Sequence, residues 1–210
     1  MARLGIERVN AILLDLGISS AQLDDAARGF SFQSSGPLDM RMDSRELMTA
    51  STIVNTYPRQ ELEKIFWEFG EERHSRRIAA RIVEERSGSK IETTRQLADL
   101  VSRAVPSYAR HRRLHPATRT FQALRLVVNR EIESLEAFLL QVTEVLESKA
   151  RIVILSFHSL EDRIVKNTFR RWKASEWGVI LTKKPIRPTQ EEVRLNPRSR
   201  SARLRAFEKR

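Results

Sequence analysis

The chain has 210 residues, a formal charge of +11 and no cysteine. That length suits one domain, or one domain carrying an insertion, and the missing cysteines exclude a disulfide framework or a thiolate metal site. The basic balance asks for a polyanionic partner, an RNA or an acidic membrane surface. No apolar run approaches the roughly 20 residues of a membrane helix, no signal-like basic and apolar stretch opens the sequence, and the expected compartment is the cytoplasm.

The first ordered element is a strand over Ala11–Leu14, apolar at consecutive positions as if covered on both faces. It stops on Asp15 and Gly17, and more than twenty residues without period follow, to Asp43. A strand that delivers a carboxylate to its C-terminal end and breaks into a polar loop is the usual geometry of an α/β site. The loop is long, so it is functional or disordered; Phe30 and Phe32 argue against disorder, and Gly36 and Pro37 supply turns.

A helical region comes next. Pro58 starts a helix to about Phe69, stopped by Gly70, with Leu62, Ile65, Phe66 and Phe69 on one face. Residues 71–86 form a second helix, and Thr93 or Thr94 caps a third. Arg103 to Arg119 is a basic hinge, and Thr118 to Ser148 reads as one long amphipathic helix. Arg151–Phe157 is a second apolar strand. Ser159 and Asp162 make a capping-box-like start for a helix over residues 160–173. Strands follow at 177–183 and 201–207, the latter alternating Ala202, Leu204 and Ala206 with Arg203 and Arg205. The pattern is α/β with a helical subdomain inserted at about 45–115.

If the first two strands are parallel, His158 lies at the same sheet edge as Asp15, a candidate for base or phosphate contact or proton transfer; a strand exit with a helix cap is the plainer role. Asp39, Arg41 and Asp43 form either a local ion-paired clamp or part of a site. His158 with Glu161 or Asp162, and Glu71 with His74, have metal-like spacing but too few partners, so no metal is expected. Trp67, Trp172 and Trp177 read as core or edge packing rather than as base-stacking platforms.

Five segments carry a resemblance: ILLDLGISSAQLDDAARGFSFQSSGPLDMRMD from Ile12, GEERHSRRIAARIV from Gly70, HPATRTFQALRLVVNREIESLE from His115, SFHSLEDRIVK from Ser156 and KKPIRPTQEEVRLNPRSRSARLR from Lys183. In order and across nearly the whole chain, they resemble the small-subunit (16S) ribosomal RNA cytosine-N4-methyltransferase family (RsmH/MraW). The resemblance implies the C-terminal half of a class I, Rossmann-like, S-adenosylmethionine-dependent methyltransferase sheet. Residues 1–44 and 116–210 would form a partial methyltransferase domain, interrupted by the helices. It further implies methylation of a cytidine amine in small-subunit ribosomal RNA, with Asp15, Ser19, Ser20 and His158 as catalytic candidates and Asp15 and Gln22 as cofactor contacts. Arg112, Arg113, Arg198 and Arg200, in basic irregular segments, are the expected RNA contacts.

The family's G-x-G-G-H loop has no counterpart here: no two of the seven glycines are closer than seven residues. The family's Pro-Gly-Gly turn before the second strand is replaced by Ser148, Lys149 and Ala150. The expectation is a truncated form that lacks the N-terminal cofactor-loop portion and binds S-adenosylmethionine weakly or not at all alone, with Ala11–Leu14 left as an apolar edge. That edge calls for the missing portion or a second copy as partner. The rival expectation is a non-catalytic RNA-binding paralogue.

Overall fold

The computed structural model describes residues 5–110 and 114–210. It divides into two compact units, one built from the chain up to Gly17 together with Ile132–Arg210, the other from Ile18–Glu131.

The first unit is organised on a four-stranded sheet: β1 (Val9–Asp15), β2 (Leu146–Ser156), β3 (Gly178–Ile180) and β4 (Arg203–Lys209), in the order β1-β2-β4-β3. β1 and β2 run parallel with Ala11 opposite Arg151 and Asp15 opposite Leu155, whereas β4 is antiparallel to both its neighbours. This is the α/β architecture expected, with β1 at an edge. Burial on β1 is one-sided, however: Ile12 and Leu14 pack on the core while Leu13 is 69% exposed. Among the described residues nothing covers Leu13, so the burial expected on both faces is found on one.

The helices, in chain order, are α1 (Ser20–Asp24), α2 (Ala50–Thr56), α3 (Arg59–Glu68), α4 (Ser75–Gly88) and α5 (Thr94–Ala104). They continue with α6 (Ser107–Arg110), α7 (Thr118–Val128), α8 (Glu131–Val145), α9 (Ser159–Ala174) and α10 (Gln190–Leu195). In the sheet unit, Leu139 and Val142 of α8 and Val165 and Phe169 of α9 bury Ile152, Ile154 and Phe207. Phe169, Trp172, Trp177 and Phe207 form an aromatic cluster with ring centroids 4.9–5.7 Å apart, large apolar surfaces that dominate this core.

The long helix expected over 118–148 is two helices. Arg130 adopts a positive φ of 49°, costly for a residue with a Cβ, and Asn129 offsets that cost. Its Nδ2 donates to the Met40 and Arg125 carbonyls at 2.8 and 2.9 Å, and its Oδ1 accepts from Met42 N–H at 2.6 Å. β2 also begins earlier than the apolar run, at Leu146; the ladder shifts register between the Val9–Leu146 and Ala11–Arg151 pairs, and Lys149 stands at φ 64°.

In the second unit, α2, α3, α4, α5 and α7 contribute Ile53, Leu62, Phe66, Ile82, Leu97 and Leu124 to one core. The helix expected from residue 71 begins at Ser75, because Glu71 takes φ 48° after Gly70. A Cβ on Gly70 would stand 2.7 Å from the Arg119 carbonyl oxygen of α7, so the turn needs glycine. Thr93 and Gln96 cap α5 reciprocally.

The stretch from Ile18 to Glu46 is ordered into this unit. Phe30, Leu38 and Met40 are buried, Phe32 packs on His115 and Phe121 with centroids 4.6 and 4.8 Å away, and Leu38 N–H donates to the Glu92 carbonyl at 2.9 Å. Gly29, at φ 69°, is required because a Cβ there would collide with the Pro37 carbonyl oxygen.

Candidate functional site at the carboxyl edge of the sheet

Parallel pairing places the C-terminal ends of β1 and β2 on one edge, and the ladder extends one step further as Leu16 N–H donates to the Leu155 carbonyl at 3.1 Å. Asp15 therefore ends β1 beside Leu155, three residues before His158, and the chain leaves through Gly17 at φ 97°. Both candidates reach the same rim, as expected. Asp15 is exposed, and among the described residues its carboxylate has no hydrogen-bond partner. It is available to a ligand N–H or O–H.

His158 is engaged locally. It is the N-cap of α9, with its Nδ1 accepting from Glu161 N–H at 3.4 Å. In return Glu161 Oε2 accepts from the N–H groups of Phe157 and His158 at 2.9 and 3.4 Å. The His158 and Glu161 side chains are only 8% and 3% exposed. An accepting Nδ1 puts the proton of a neutral ring on Nε2. That atom lies 3.1 Å from Glu161 Oε1, close enough to pair if the ring is protonated, yet it is not aligned for a hydrogen bond. The geometry favours a role in building the turn.

The cap is thus one residue earlier than the Ser159–Asp162 pair suggested. Asp162 instead faces β4: Arg205 donates through Nε to Oδ1 at 2.6 Å and through Nη2 to Oδ2 at 3.3 Å, and Arg203 Nη1 reaches Oδ2 at 3.1 Å. Arg205 is 6% exposed, so the alternation expected to place both arginines outward fails at that residue. Burial alone would raise the Asp162 pKa, but the hydrogen bond and charge of Arg205, joined by Arg203, outweigh it and hold the carboxyl below its ordinary value. A buried carboxylate draws a strand arginine inward, and single-strand periodicity carries no sign of that.

In the second unit, Ser19 and Gln22 are partners of one another. Ser19 Oγ accepts from Gln22 N–H at 3.2 Å and Gln22 Oε1 accepts from Ser19 N–H at 3.0 Å, a capping box on α1. Ser20 is the exposed first residue of that helix. The clamp foreseen at Asp39, Arg41 and Asp43 is two forks. Arg41 holds Asp39 through Nε and Nη2 at 2.8 and 2.7 Å and lowers its pKa by that hydrogen bond, against the opposing effect of burial. Arg45 holds the exposed Asp43 by hydrogen bonds and puts its pKa at about 2. Arg28 Nη2 closes the segment on the Arg41 and Met42 carbonyls at 2.7 and 2.9 Å. These contacts are internal and give the segment its shape.

Of the RNA candidates, Arg198 and Arg200 are exposed on a 3-10 turn, Pro197–Ser201; Arg112 and Arg113 lie outside the described residues. A methyl-donor cofactor finds a partial fit. Asp15 offers an uncommitted carboxylate at the strand end, whereas the Gln22 oxygen is already taken by the Ser19 N–H.

Comparison with known proteins gives the same family from another direction. The family model described as the MraW methylase family matches residues 1–210. Proteins named ribosomal RNA small subunit methyltransferase H include one from Syntrophobacter fumaroxidans, 49% identical over all of this chain and 70% of its own length. A second, from a Cyanothece species, is 55% identical over 96% of the chain and 66% of its own length. The third, from a Synechocystis species, is 52% identical over 97% of the chain and 65% of its own length. The chain thus spans about two thirds of the length of these relatives. With a parallel β1–β2 pair ending at Asp15 and a match along its entire length, the chain belongs to the MraW methylase family of S-adenosylmethionine-dependent methyltransferases.

Proposed function

We propose that the chain takes part in N4-methylation of a cytidine in small-subunit (16S) ribosomal RNA. The observation that carries this is the exposed carboxylate of Asp15, without a hydrogen-bond partner among the described residues, at the carboxyl edge of β1 beside the capped turn that follows β2. A cytosine amine is a weak nucleophile because its lone pair is delocalised into the ring. Asp15 accepts a hydrogen bond from the amine, orients it and frees the lone pair as the new C–N bond forms. S-adenosylmethionine, when bound, supplies the methyl group.

Ser19 and Ser20 are proposed to contact the base, and Gln22 the cofactor after release from its cap. His158 holds the turn that frames the base. Arg112, Arg113, Arg198 and Arg200 meet phosphates, consistent with the charge of +11. The helical segment expected at 45–115 lies within the wider compact unit Ile18–Glu131; it is proposed as an insertion in a methyltransferase domain working in the cytoplasm. Among the described residues no helix is long and apolar enough to cross a membrane.

The committed Gln22, whose side-chain oxygen is held by the Ser19 N–H, favours one second reading, a non-catalytic RNA-binding paralogue. Calorimetric titration separates them in two stages. The 210-residue chain alone is expected to bind S-adenosylmethionine weakly or not at all, and micromolar affinity would overturn that. A family segment bearing the glycine loop, added in trans or as a second partner, is expected to restore binding and methyl transfer to small-subunit RNA. Salt-dependent RNA binding with no transfer in that mixture would leave the non-catalytic reading.

A further inference from the structure

The packing of α3 turns Leu62, Ile65 and Phe66 inward. The opposite stripe, Gln60, Glu63, Lys64 and Trp67, repeats at helical spacing and faces a cleft closed on its far side by Arg73, Ser75 and Arg76. Trp67, for which the sequence suggested core or edge packing, is 59% exposed. The other two tryptophans sit in the aromatic cluster of the sheet unit. Lys64, Arg73 and Arg76 are exposed and have no ion-paired or hydrogen-bonded partner among the described residues, unlike Arg81 on α4, which pairs with Glu84 and Glu85. One carboxylate, Glu63, stands against these three cations.

The turn that presents Arg73 is built rigidly. Glu72 N–H donates to the Phe66 carbonyl at 3.0 Å, Glu72 Oε1 accepts from His74 N–H at 2.8 Å, and Arg119 Nη1 holds the Glu71 carbonyl at 3.0 Å. A second exposed aromatic continues the surface: Tyr108, 65% exposed, has its ring 6.2 Å from that of His74. A solvent-facing indole costs hydration and gains nothing in the core; surrounded by unpaired cations, it has the chemistry of a base-stacking platform with phosphate contacts.

We propose that this cleft between α3 and the start of α4 binds a single-stranded RNA segment, one base stacked on Trp67 and the adjoining phosphates held by Lys64, Arg73 and Arg76. The inference rests on the RNA-substrate reading above and adds to it an anchoring surface on the helical unit, made of residues other than Asp15 and the four arginines already named. Stacking tolerates any base, so the cleft contributes affinity and placement; the choice of cytidine lies elsewhere.

The test is fluorescence anisotropy of a labelled, unstructured RNA of about 12 nucleotides, within the usual site size of single-strand binders, titrated with the full chain at several salt concentrations. Trp67→Ala is expected to weaken binding about tenfold, the equivalent of about 1.4 kcal/mol of stacking, with little change in salt dependence. Arg73→Ala combined with Arg76→Ala is expected to lower the slope of log affinity against log salt by about 1.4, roughly 0.7 for each phosphate no longer neutralised. RNA should quench part of the tryptophan emission in the parent and none of that part in Trp67→Phe, a conservative change at an exposed site that keeps the fold. If the parent binds RNA while Trp67→Ala matches it within twofold and the quench survives in Trp67→Phe, the cleft is refuted and the RNA reading stands. If the parent binds no RNA at any salt, both fall.

Discussion

Replacing Asp162 by alanine strands a charge. Arg205 is 6% exposed, and its two hydrogen bonds to the Asp162 carboxylate are its anchors to α9; Arg203, with 28% of its side chain exposed, still reaches water. Removing one partner of a buried pair costs about 3–5 kcal/mol, because the guanidinium left behind is desolvated without compensation. Set against a total stability of about 5–15 kcal/mol, that is a large share of what holds β4 between β2 and β3. The assay is urea unfolding in a Trp67→Phe background, where the emission comes from Trp172 and Trp177 in the same unit as the ion cluster. Asp162→Leu with Arg205→Met should recover most of the loss, since well-packed apolar replacements of a buried pair are neutral or stabilising. A loss under about 1 kcal/mol for the single variant, the range of exposed pairs, or no recovery in the double variant, would refute the reasoning. The sign with pH follows from the lowered pKa of Asp162. Its contribution is complete above the unfolded carboxyl value, about 3.9, and is lost as pH falls through the lower folded value. Asp162→Asn should remove that part of the acid limb.

Three other outcomes are expected. Asp15→Asn should leave the unfolding midpoint unchanged, as the side chain is exposed and has no partner among the described residues, while abolishing transfer in the reconstituted methylation assay; a lowered midpoint with transfer intact would remove Asp15 from the chemistry. Asn129→Ala orphans the Met42 N–H and the Met40 carbonyl, and circular dichroism under urea should show a loss of about 1–3 kcal/mol. Asp43→Asn should not move the urea midpoint at pH 7 despite a pKa of about 2, because solvent screens an exposed fork; a clear shift would mean the 39–46 segment is under tension that the hydrogen bonds do not reveal.

The first two strands were legible in the sequence as apolar runs ending near Asp15 and Phe157; that Asp15 and His158 share an edge followed only on the condition that these strands run parallel, which the structure supplies. The breaks were not legible. Asn129 and Arg130 sit inside an unbroken helical pattern, and only the distant carbonyls of Met40 and Arg125 explain why the chain turns there. Alternation in β4 pointed Arg205 to solvent, whereas Asp162 from another element draws it inward. The α3 periodicity did contain the outward face of Trp67, since Leu62, Ile65 and Phe66 define the opposite side; the general preference of indoles for burial masked it. The shift of the α9 cap from Ser159 to His158 turned on one residue, the scale at which helix ends are least determined by local sequence.

The sheet order carries a consequence for how this molecule comes off the ribosome. β4 is the last of the four strands to be synthesised, yet it is an interior strand, joined to β2 on one side and β3 on the other. The helical unit is one contiguous stretch, Ile18–Glu131, and can acquire its core while translation continues. The nascent β1 must wait more than a hundred residues for β2, and until Arg203–Lys209 emerges β2 lacks its second neighbour and β3 has none among these strands. Pulse-labelling of stalled nascent chains should accordingly find protease resistance in the helices well before the strands.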